Sequence, residues 1–490
     1  MRAAPAKRGR RSKPQIIFAR LSERVKLAYT GGRIVVGFED GYSVNLGPFS
    51  AGAADRAQEL RMGLPLASLK SGGVTTRETD RLVRRLARLG LLEYPVRRSP
   101  KDEIVIEPQV ADYWPQTPPL RNAEVLVLSR FAYLRRRGNE MVLESPRAGA
   151  LFRICDPKIA AALAALSTPQ QVGHLRQDGP GIEFLALLAD CQILFKVGTG
   201  GDGNLRGAEG DQDLVLWDFH DLLFHARSTP GRHANPLGGT FPYAGVSDPL
   251  PAVRRPWPGQ AIDLREHSVA QAETSSPTAK LLRDRHSVRS FDSRRPITLS
   301  ELARFLDSTA RVVSTWTSTI DGGDAGPVVA YAARPYPAGG AAYELELYLA
   351  VGQCDGLARG FYHYDAGRHA LVPIDVRTQD LDALLTEATV AMDAPAAPQV
   401  VITIAARFGR ISWKYSSLAY ALILKDTGVL IQTLYLMTTD MGLGGCAIGS
   451  TNIDLFAKMT GIEFHVEGPV GQFALGRGTP GPSETLTPSS

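Results

Sequence analysis

The sequence predicts an α+β chain in which two small N-terminal modules precede a larger domain of strands and one long helix. Three observations carry this expectation. Between Leu418 and Met441 apolar side chains fill most positions of a helical pattern, broken mainly by Lys425, Asp426, Gln432 and Asp440. Several strand and hairpin candidates lie in the C-terminal half. A hairpin-then-helix pattern also occurs twice within the first two hundred residues. At 490 residues the chain exceeds one ordinary core, and a hydrophobic share of 44% suits a globular protein. The net charge is only +5, part of it local to Arg2, Lys7, Arg8, Arg10, Arg11 and Lys13. Such an arm reads first as a solvated, disordered tail and only second as a nucleic-acid contact.

In chain order, Val25 to Phe38 reads as a hairpin turning at Thr30-Gly31-Gly32. Thr75 to Glu78 has the spacing of a capping box, with Leu82, Leu86 and Leu89 on one helical face and Leu91 to Tyr94 returning as a strand. The second copy has a hairpin from Phe131 to Leu143 turning at Arg137-Gly138-Asn139. A helix start at Ser167 to Gln170, an apolar helix face from Phe184 to Leu188 and a closing Ile193-Leu194-Phe195 follow. Turn glycine to closing leucine is about 60 residues in each, which suits tandem winged-helix-like modules. The expected helix of the second module, Gly181 to Asp190, carries acids and no base, whereas that of the first offers Arg81, Arg84, Arg85 and Arg88. A peptide-docking or structural role is therefore favoured over DNA binding, with an extended peptide adding as a strand.

Gly198 to Gly210 reads as a linker, and Pro249 to Pro258 as an extended crossing. His220 and His225 are five residues apart, about 140° around a helix, a poor metal pair. Cys155, Cys191, Cys354 and Cys446 form no CxxC motif, which argues against a disulfide framework and a cysteine-rich zinc site; no metal is expected. No signal-peptide or membrane-span pattern is present, so the expected compartment is cytoplasmic.

In the C-terminal half, Arg285-His286-Ser287-Val288-Arg289 has the residue types of a phosphate clamp, with an alternating basic surface strand as the equal alternative. Thr298 or Ser300 can cap a helix to Asp307. Arg334 to Val351 is a glycine turn feeding a strand, Phe361 to Val372 a hairpin, and Val400 to Ala405 and Phe473 to Gly478 further strands. Trp413-Lys414-Tyr415 precedes the long helix, and the loop Gly442 to Gly449 follows it. On the pattern alone a core helix with a glycine cap is a sufficient account.

The order Arg-x-Ser-x-Arg, Arg-Pro-x-Pro-x-Gly-Gly with Glu-Leu-Tyr, Tyr-His-Tyr, Lys-Tyr, long helix and Gly-Leu-Gly-Gly-Cys-Ala-Ile-Gly resembles the flavin nitroreductase superfamily. More narrowly it resembles the SagB/ThcOx-type azoline dehydrogenases of thiazole- and oxazole-modified peptide pathways, across residues 215–478. The resemblance implies a nitroreductase-like flavin domain and FMN as cofactor. It implies that Arg285, Ser287 and Arg289 bind the phosphate and ribityl chain with His286 nearby, and that Pro337, Gly339 and Gly340 pass along the flavin. Gly444 and Gly445 would bring backbone N–H groups to the ring, and Arg477 would close the phosphate site. Ala338 stands where the family often has serine, which removes a hydroxyl near the ring.

Lys414 and Tyr415 would be the catalytic pair. Aromatising a thiazoline or oxazoline removes a hydride, which the resemblance sends to flavin N5, and a proton that a side chain must take. A lysine desolvated beside the flavin, or a tyrosine polarised by it, can do so; which of the two acts is open. The other reading is a solvated Lys414 and a packed Tyr415. Expected partners are a heterocyclised precursor peptide, a cyclodehydratase and a second copy of the chain, with the apolar helix as dimer core; neither membrane nor nucleic acid is expected. The expected divisions are a disordered basic arm 1–18, modules 19–110 and 111–200, a linker and packing segment 201–275, the FMN domain 276–480 and a disordered tail 481–490. Rival functions are a general NAD(P)H-dependent flavin nitroreductase and a non-catalytic peptide-docking or DNA-binding protein.

Overall fold

The structure, a computed structural model, describes residues 14–479 apart from 24, 39–40, 71, 111, 179–180, 198–208, 210–211, 230–238, 255, 257, 259, 265–275 and 321–325. The basic arm through Lys13, most of the glycine-rich stretch 198–210 and the tail 481–490 lie outside the described residues. The chain divides into two compact units, Met1–Ala234 and Asn235–Ser490.

The first unit is built on a seven-stranded antiparallel sheet, and its first strand, Ile16–Leu21, takes in residues that the sequence assigned to the arm. One strand from each half of the unit meets the other near its centre, where Ile104–Pro108 pairs with Ala150–Ile154. The two halves therefore share a sheet and one buried core rather than folding as separate beads. Both expected hairpins form, Val25–Thr30 with Arg33–Phe38 and Tyr133–Arg137 with Glu140–Glu144. Their turns carry Gly31, Gly32 and Gly138 at positive φ, a conformation that glycine adopts without a Cβ penalty.

Two helix starts differ from the sequence reading. The first helix, Val74–Arg88, begins before Thr75, with Gly73 as N-cap and no side-chain cap. Glu78 instead accepts hydrogen bonds from the Ser50 hydroxyl and backbone N–H, at the start of the neighbouring helix Ala51–Ala57. A capping box at Thr75 is thus overruled by a tertiary contact. In the second half the helix expected from Ser167 starts at Val172, after the two-residue strand Gln170–Gln171. The helix Pro157–Ala165, capped by Asp156, precedes it and has no counterpart in the sequence reading. Leu82 and Leu86 are buried as expected, whereas Leu89 lies past the helix end and is exposed.

The second unit centres on a six-stranded antiparallel sheet. Its order is Ala370–Ile374, Gly360–Asp365, Leu345–Val351, Val400–Arg407, Glu467–Gly476 and Gly444–Ile448. Side chains alternate across the strands. Ala350, Val401, Cys446 and Ala474 meet the helices Thr378–Ala391 and Ile453–Thr460, which were not foreseen, through Leu384, Phe456 and Met459. On the opposite face the long helix Ala419–Asp440 crosses the last two strands, with the Tyr435 ring edge-on to Phe473 at 5.0 Å. The helix Leu299–Ala310 packs beside it and carries the expected cap, with Thr298 and Glu301 forming a complete capping box. An exposed two-stranded ribbon, Ser314–Thr319 with Val328–Ala333, stands apart from the sheet.

Two expectations about the long helix change. Within one chain a single face is buried, including Ile423, Asp426, Leu430, Leu434 and Tyr435, while Leu422, Leu424 and Leu436 are half-exposed and Val429 is exposed. The stretch after it is not a loop through Gly449. Gly442 (φ +65) ends the helix, and Gly444–Ile448 is the edge strand of the sheet. Its glycines answer a packing demand: a Cβ on Gly444 would lie 2.7 Å from Val288 Cγ1, and one on Gly445 would lie 2.4 Å from Phe473 Cζ. Gly445→Ala is therefore expected to destabilise the second unit by about 1–3 kcal/mol through overpacking. Its urea unfolding midpoint should fall relative to the parent chain, and an unchanged midpoint would contradict the close packing.

Candidate functional site

The first cluster of candidate residues grows from the end of the helix Pro277–Asp284. Ser276 caps its start, Pro277 occupies the first turn, and Arg285 leaves it with extended backbone. From there the chain is laced to the end of the sheet. The Val288 N–H donates to the Gly445 carbonyl at 2.8 Å, and the Asp292 N–H donates to the Arg477 carbonyl at 2.8 Å. Close approach at Gly444 makes this possible, since Val288 occupies the space a side chain there would need.

Two residues of the segment meet Tyr435 on the long helix. The Arg285 guanidinium lies 5.0 Å from the ring centre, and Ser287 Oγ is 2.8 Å from the phenol oxygen. The same phenol oxygen accepts the Ala447 N–H at 2.8 Å, so one hydroxyl ties the motif, the helix and the edge strand together. His286 is exposed, with Nδ1 3.0 Å from the Asp284 carbonyl oxygen. Arg289 is exposed too, and neither Arg285 nor Arg289 forms an ion pair among the described residues.

Arg477 is placed differently. Its guanidinium donates to both Glu301 oxygens at 2.7 Å, at the start of the helix Leu299–Ala310. Burial works against the Glu301 charge, yet the hydrogen bonds from Arg477 and Thr298 hold that carboxyl below its ordinary range. What Arg477 shares with the Arg285 segment is its backbone: its carbonyl accepts Asp292 N–H, and its own N–H donates to Gln399 Oε1 at 2.9 Å. The buried Gln399 amide also takes the Ile297 N–H and donates to the Asp292 carbonyl.

A second cluster forms where the loop before the strand Leu345–Val351 meets the residues leading into the long helix. Lys414 Nζ donates to the Gly340 carbonyl at 3.0 Å and stands 5.4 and 5.5 Å from the ring centres of Tyr415 and Tyr331. Gly340 is required twice over. Its φ is +57°, and a Cβ would lie 2.3 Å from Tyr415 Oη and 2.5 Å from Lys414 Nζ. Ala341 (φ 54°) and Tyr343 (φ 47°) are left-handed as well. Non-glycine residues resist that conformation, and strained backbone of this kind concentrates at functional sites. Arg410 holds the loop from outside, donating to the carbonyls of Ala342 (2.9 Å) and Ala330. Underneath, the Gly339 N–H donates to Asp426 Oδ2 at 2.7 Å, while Pro337 is exposed on the same loop.

The structure thus gathers the sequence candidates into two groups joined by one helix. Arg285, Ser287 and Gly445 meet around Tyr435, with Gly444 beneath Val288; Gly339, Gly340, Lys414 and Tyr415 meet near Asp426. These two helix residues are nine positions apart, about 13 Å along the axis. Sequence reasoning had noted Asp426 only as a break in an apolar run, and had missed Glu344, Gln399 and Tyr435. The one available signal was a carboxylate in the middle of a helix otherwise suited to burial. All four cysteines are free, and among the described residues no group of three or more histidine, cysteine or acidic side chains could hold a metal. No helix among them is long and apolar enough to cross a membrane.

Known proteins resemble this chain in both units. Residues 126–234 match the family of cyanobactin oxidase ThcOx, and residues 282–477 match the nitroreductase family. A protein of Methanocaldococcus jannaschii named as a nitroreductase is 30% identical over 117 residues, 24% of this chain; the match spans 58% of that relative's length. Among solved structures, the E. coli microcin synthetase McbBCD complex with truncated pro-MccB17 bound aligns at 19% identity and a TM-score of 0.40. That alignment covers 55% of this chain and 97% of the other. A Bacteroides fragilis nitroreductase with bound FMN aligns at 14% identity and a TM-score of 0.25, over 44% of this chain and 100% of the other. The resemblance read from the sequence motifs, to SagB/ThcOx-type proteins of the nitroreductase superfamily, is borne out by the two family matches, and the second unit is nitroreductase-like and α+β.

The Tyr435 hydroxyl gives this geometry a direct check. Tyr435→Phe leaves the Ala447 N–H without its acceptor and should cost about 1–3 kcal/mol of stability. Chemical denaturation measures this, and a loss within experimental error would mean the hydroxyl does not join the two elements.

Proposed function

We propose that this chain, similar to ThcOx in its first unit and to nitroreductases in its second, is an FMN-dependent oxidoreductase. Its substrates would be thiazoline or oxazoline rings of a peptide, oxidised to azoles during ribosomal peptide natural-product biosynthesis. The observation that carries the reading is the Lys414–Tyr415 pair held against the Gly339–Gly340 loop, with an ammonium and a phenol at one opening of a strained backbone.

The residues fit the flavin. Arg285 and Arg289 are cations without an ion pair among the described residues, and Ser287 places a hydroxyl beside them. They would hold the phosphate and ribityl chain with His286 nearby, while Pro337, Gly339, Gly340, Gly444 and Gly445 would line the ring. Ala338 offers no hydroxyl there, so hydrogen bonding to the ring would fall to backbone N–H groups. Arg477 would join the phosphate only by exchanging its bond to Glu301. Bound FMN would supply the acceptor, ring N5, for the hydride that leaves the azoline. Lys414 and Tyr415 then have the remaining task, taking the proton from the neighbouring ring carbon. To take it, one of the two must first have given up its own proton, Lys414 as the amine or Tyr415 as a phenolate beside the Lys414 ammonium; the Gly340 carbonyl orients Nζ in either case.

The half-exposed apolar side chains of the long helix, Leu422, Leu424 and Leu436, with exposed Val429, support pairing with a second copy. The first unit, read as two winged-helix-like modules, would dock the precursor peptide or a cyclodehydratase. Peptide rather than DNA is favoured because the four helix arginines are engaged within the unit. Arg81 lies over Phe49, Arg84 over Trp114, Arg85 on the Leu46 carbonyl and Arg88 near Asp112. A cleft of about 640 Å³, lined by Ile17, Leu66, Arg84 and Trp114 among others, offers such a peptide a seat.

Mass spectrometry of an azoline-containing peptide incubated with the purified protein should show a loss of two hydrogens per ring. Steady nicotinamide turnover on nitroaromatics without that loss would favour a general flavin reductase, and colourless protein without flavin absorbance a docking protein. Lys414→Ala and Tyr415→Phe should each retain flavin absorbance while losing ring oxidation by about 10²-fold or more. Arg285→Ala should release FMN, because it removes a charge-assisted contact worth about 1.5–3 kcal/mol. Full flavin occupancy in that variant would sink the phosphate assignment.

A further inference from the structure

We propose that Glu344 and Asp426 form a proton-sharing carboxyl pair that positions the Gly339–Gly340 loop, and through it Lys414 and Tyr415. The inference rests on the reading above that those two residues take the substrate proton. Glu344 has no exposed surface, and no hydrogen bond of ordinary geometry reaches either of its carboxyl oxygens. Asp426, itself buried, faces it and receives the Gly339 N–H at 2.7 Å. Two ionised carboxylates in such a place would lose hydration without gaining partners, and the usual resolution is to keep one proton between them.

Arg334 and Arg407 are the nearby cations, with guanidiniums 3.9 and 3.6 Å from Glu346. The Arg334 charge favours the Glu344 anion, but burial and the facing Asp426 outweigh it. Tyr336 is buried, with its hydroxyl pushed well above the ordinary range by desolvation, and it stays neutral. Lys414 lies beyond the loop, bound to the Gly340 carbonyl. With a proton on Glu344, its hydroxyl donates to Asp426, which keeps an oxygen for Gly339. Burial, then the facing Asp426 charge, raises the Glu344 carboxyl to about 7, while burial also raises Asp426. The next residue after Gly339 carries the carbonyl that orients Lys414, and a Cβ on Gly340 would lie 2.3 Å from Tyr415 Oη. A second negative charge under Gly339 therefore reaches the proton-accepting pair through one peptide unit.

The sign follows from linkage. Glu344 holds its proton more tightly folded than unfolded, so its contribution to stability is complete below about 4.5 and is lost as pH rises through about 7. Glu344→Gln keeps the shape and an N–H donor to Asp426 and cannot ionise. The test compares pH profiles of kcat for azoline oxidation by the FMN-loaded full chain and by E344Q. The parent is expected to lose activity on the alkaline side, by up to about tenfold per pH unit above neutrality, with little change in KM. E344Q should lack that limb and keep the acid limb of the Lys414–Tyr415 pair. Its unfolding midpoint in urea should also fall less than the parent's between acid and neutral pH.

An E344Q profile with the same alkaline limb overturns the proposal. If E344Q does not fold, infrared spectra of the parent decide. A buried protonated-carboxyl band that disappears near neutral pH supports the pair, and its absence in acid overturns it. If the parent oxidises no azoline, the functional reading fails, whereas the infrared and stability measurements still judge the carboxyl pair.

Discussion

The hydrogen bond from the Gly339 N–H to Asp426 fixes more of the second unit than its size suggests. Hydrophobic contact between a helix and a sheet is non-directional, and an apolar face can slide or rotate against strands at modest cost. A buried carboxylate cannot, because each displaced position would leave it without a donor. Asp426 therefore sets the long helix against the loop before Leu345–Val351, and Tyr435 does the same further along against Ser287 and Ala447. With two polar anchors about 13 Å apart, both the axial position and the rotation of the helix are determined. Apart from Arg477, which Glu301 and Gln399 hold, the site contacts described above gather around one of the two.

The glycines fall into two physical classes that a motif alone does not separate. Gly444, Gly445 and Gly476 allow chains to approach within the unit; a Cβ on Gly476 would lie 2.8 Å from Gln399 Oε1 and 2.9 Å from the Phe291 ring. Their role is to let the Arg285 segment lie against the sheet edge. Gly340 differs, because the side chains it admits are Lys414 and Tyr415, and its backbone is left-handed in any case. The flanking Ala341 and Tyr343 adopt the same region without glycine's freedom, so the loop is held by its contacts rather than by its own preference. Asp426 below, Lys414 at its carbonyl and Arg410 outside are those contacts.

What the sequence makes legible is local. Hairpins announced by Gly31-Gly32 and Gly138 are found where their turns put them, and Thr298 caps its helix because Glu301 is three residues away. Thr75 has the same spacing to Glu78, yet Ser50, distant in sequence, takes the glutamate. The helix Pro157–Ala165 escapes notice because its alanine-rich pattern gives little contrast between faces. The strand Gly444–Ile448 is hidden by its glycines, which are poor strand formers alone and are tolerated because Val288 and Phe473 fill the space. At the site, Lys414 and Gly340 were brought into one list only by a family resemblance, since nothing local links residues 74 apart. Arg477 shows the reverse: its position in the motif order says nothing of Glu301, which holds its guanidinium.

The charge pattern along the long helix adds a final constraint. Near Tyr435 the charged groups are cationic, Arg285 over the ring and, four residues on in the same segment, the exposed Arg289. Near Asp426 they are acidic, two facing carboxyls with the neighbouring arginines drawn to Glu346. The same polarity explains why the acids are buried and the arginines are not. Guanidiniums at an open surface stay hydrated until an anion arrives, whereas carboxyls sealed under a loop must be neutralised as the chain folds.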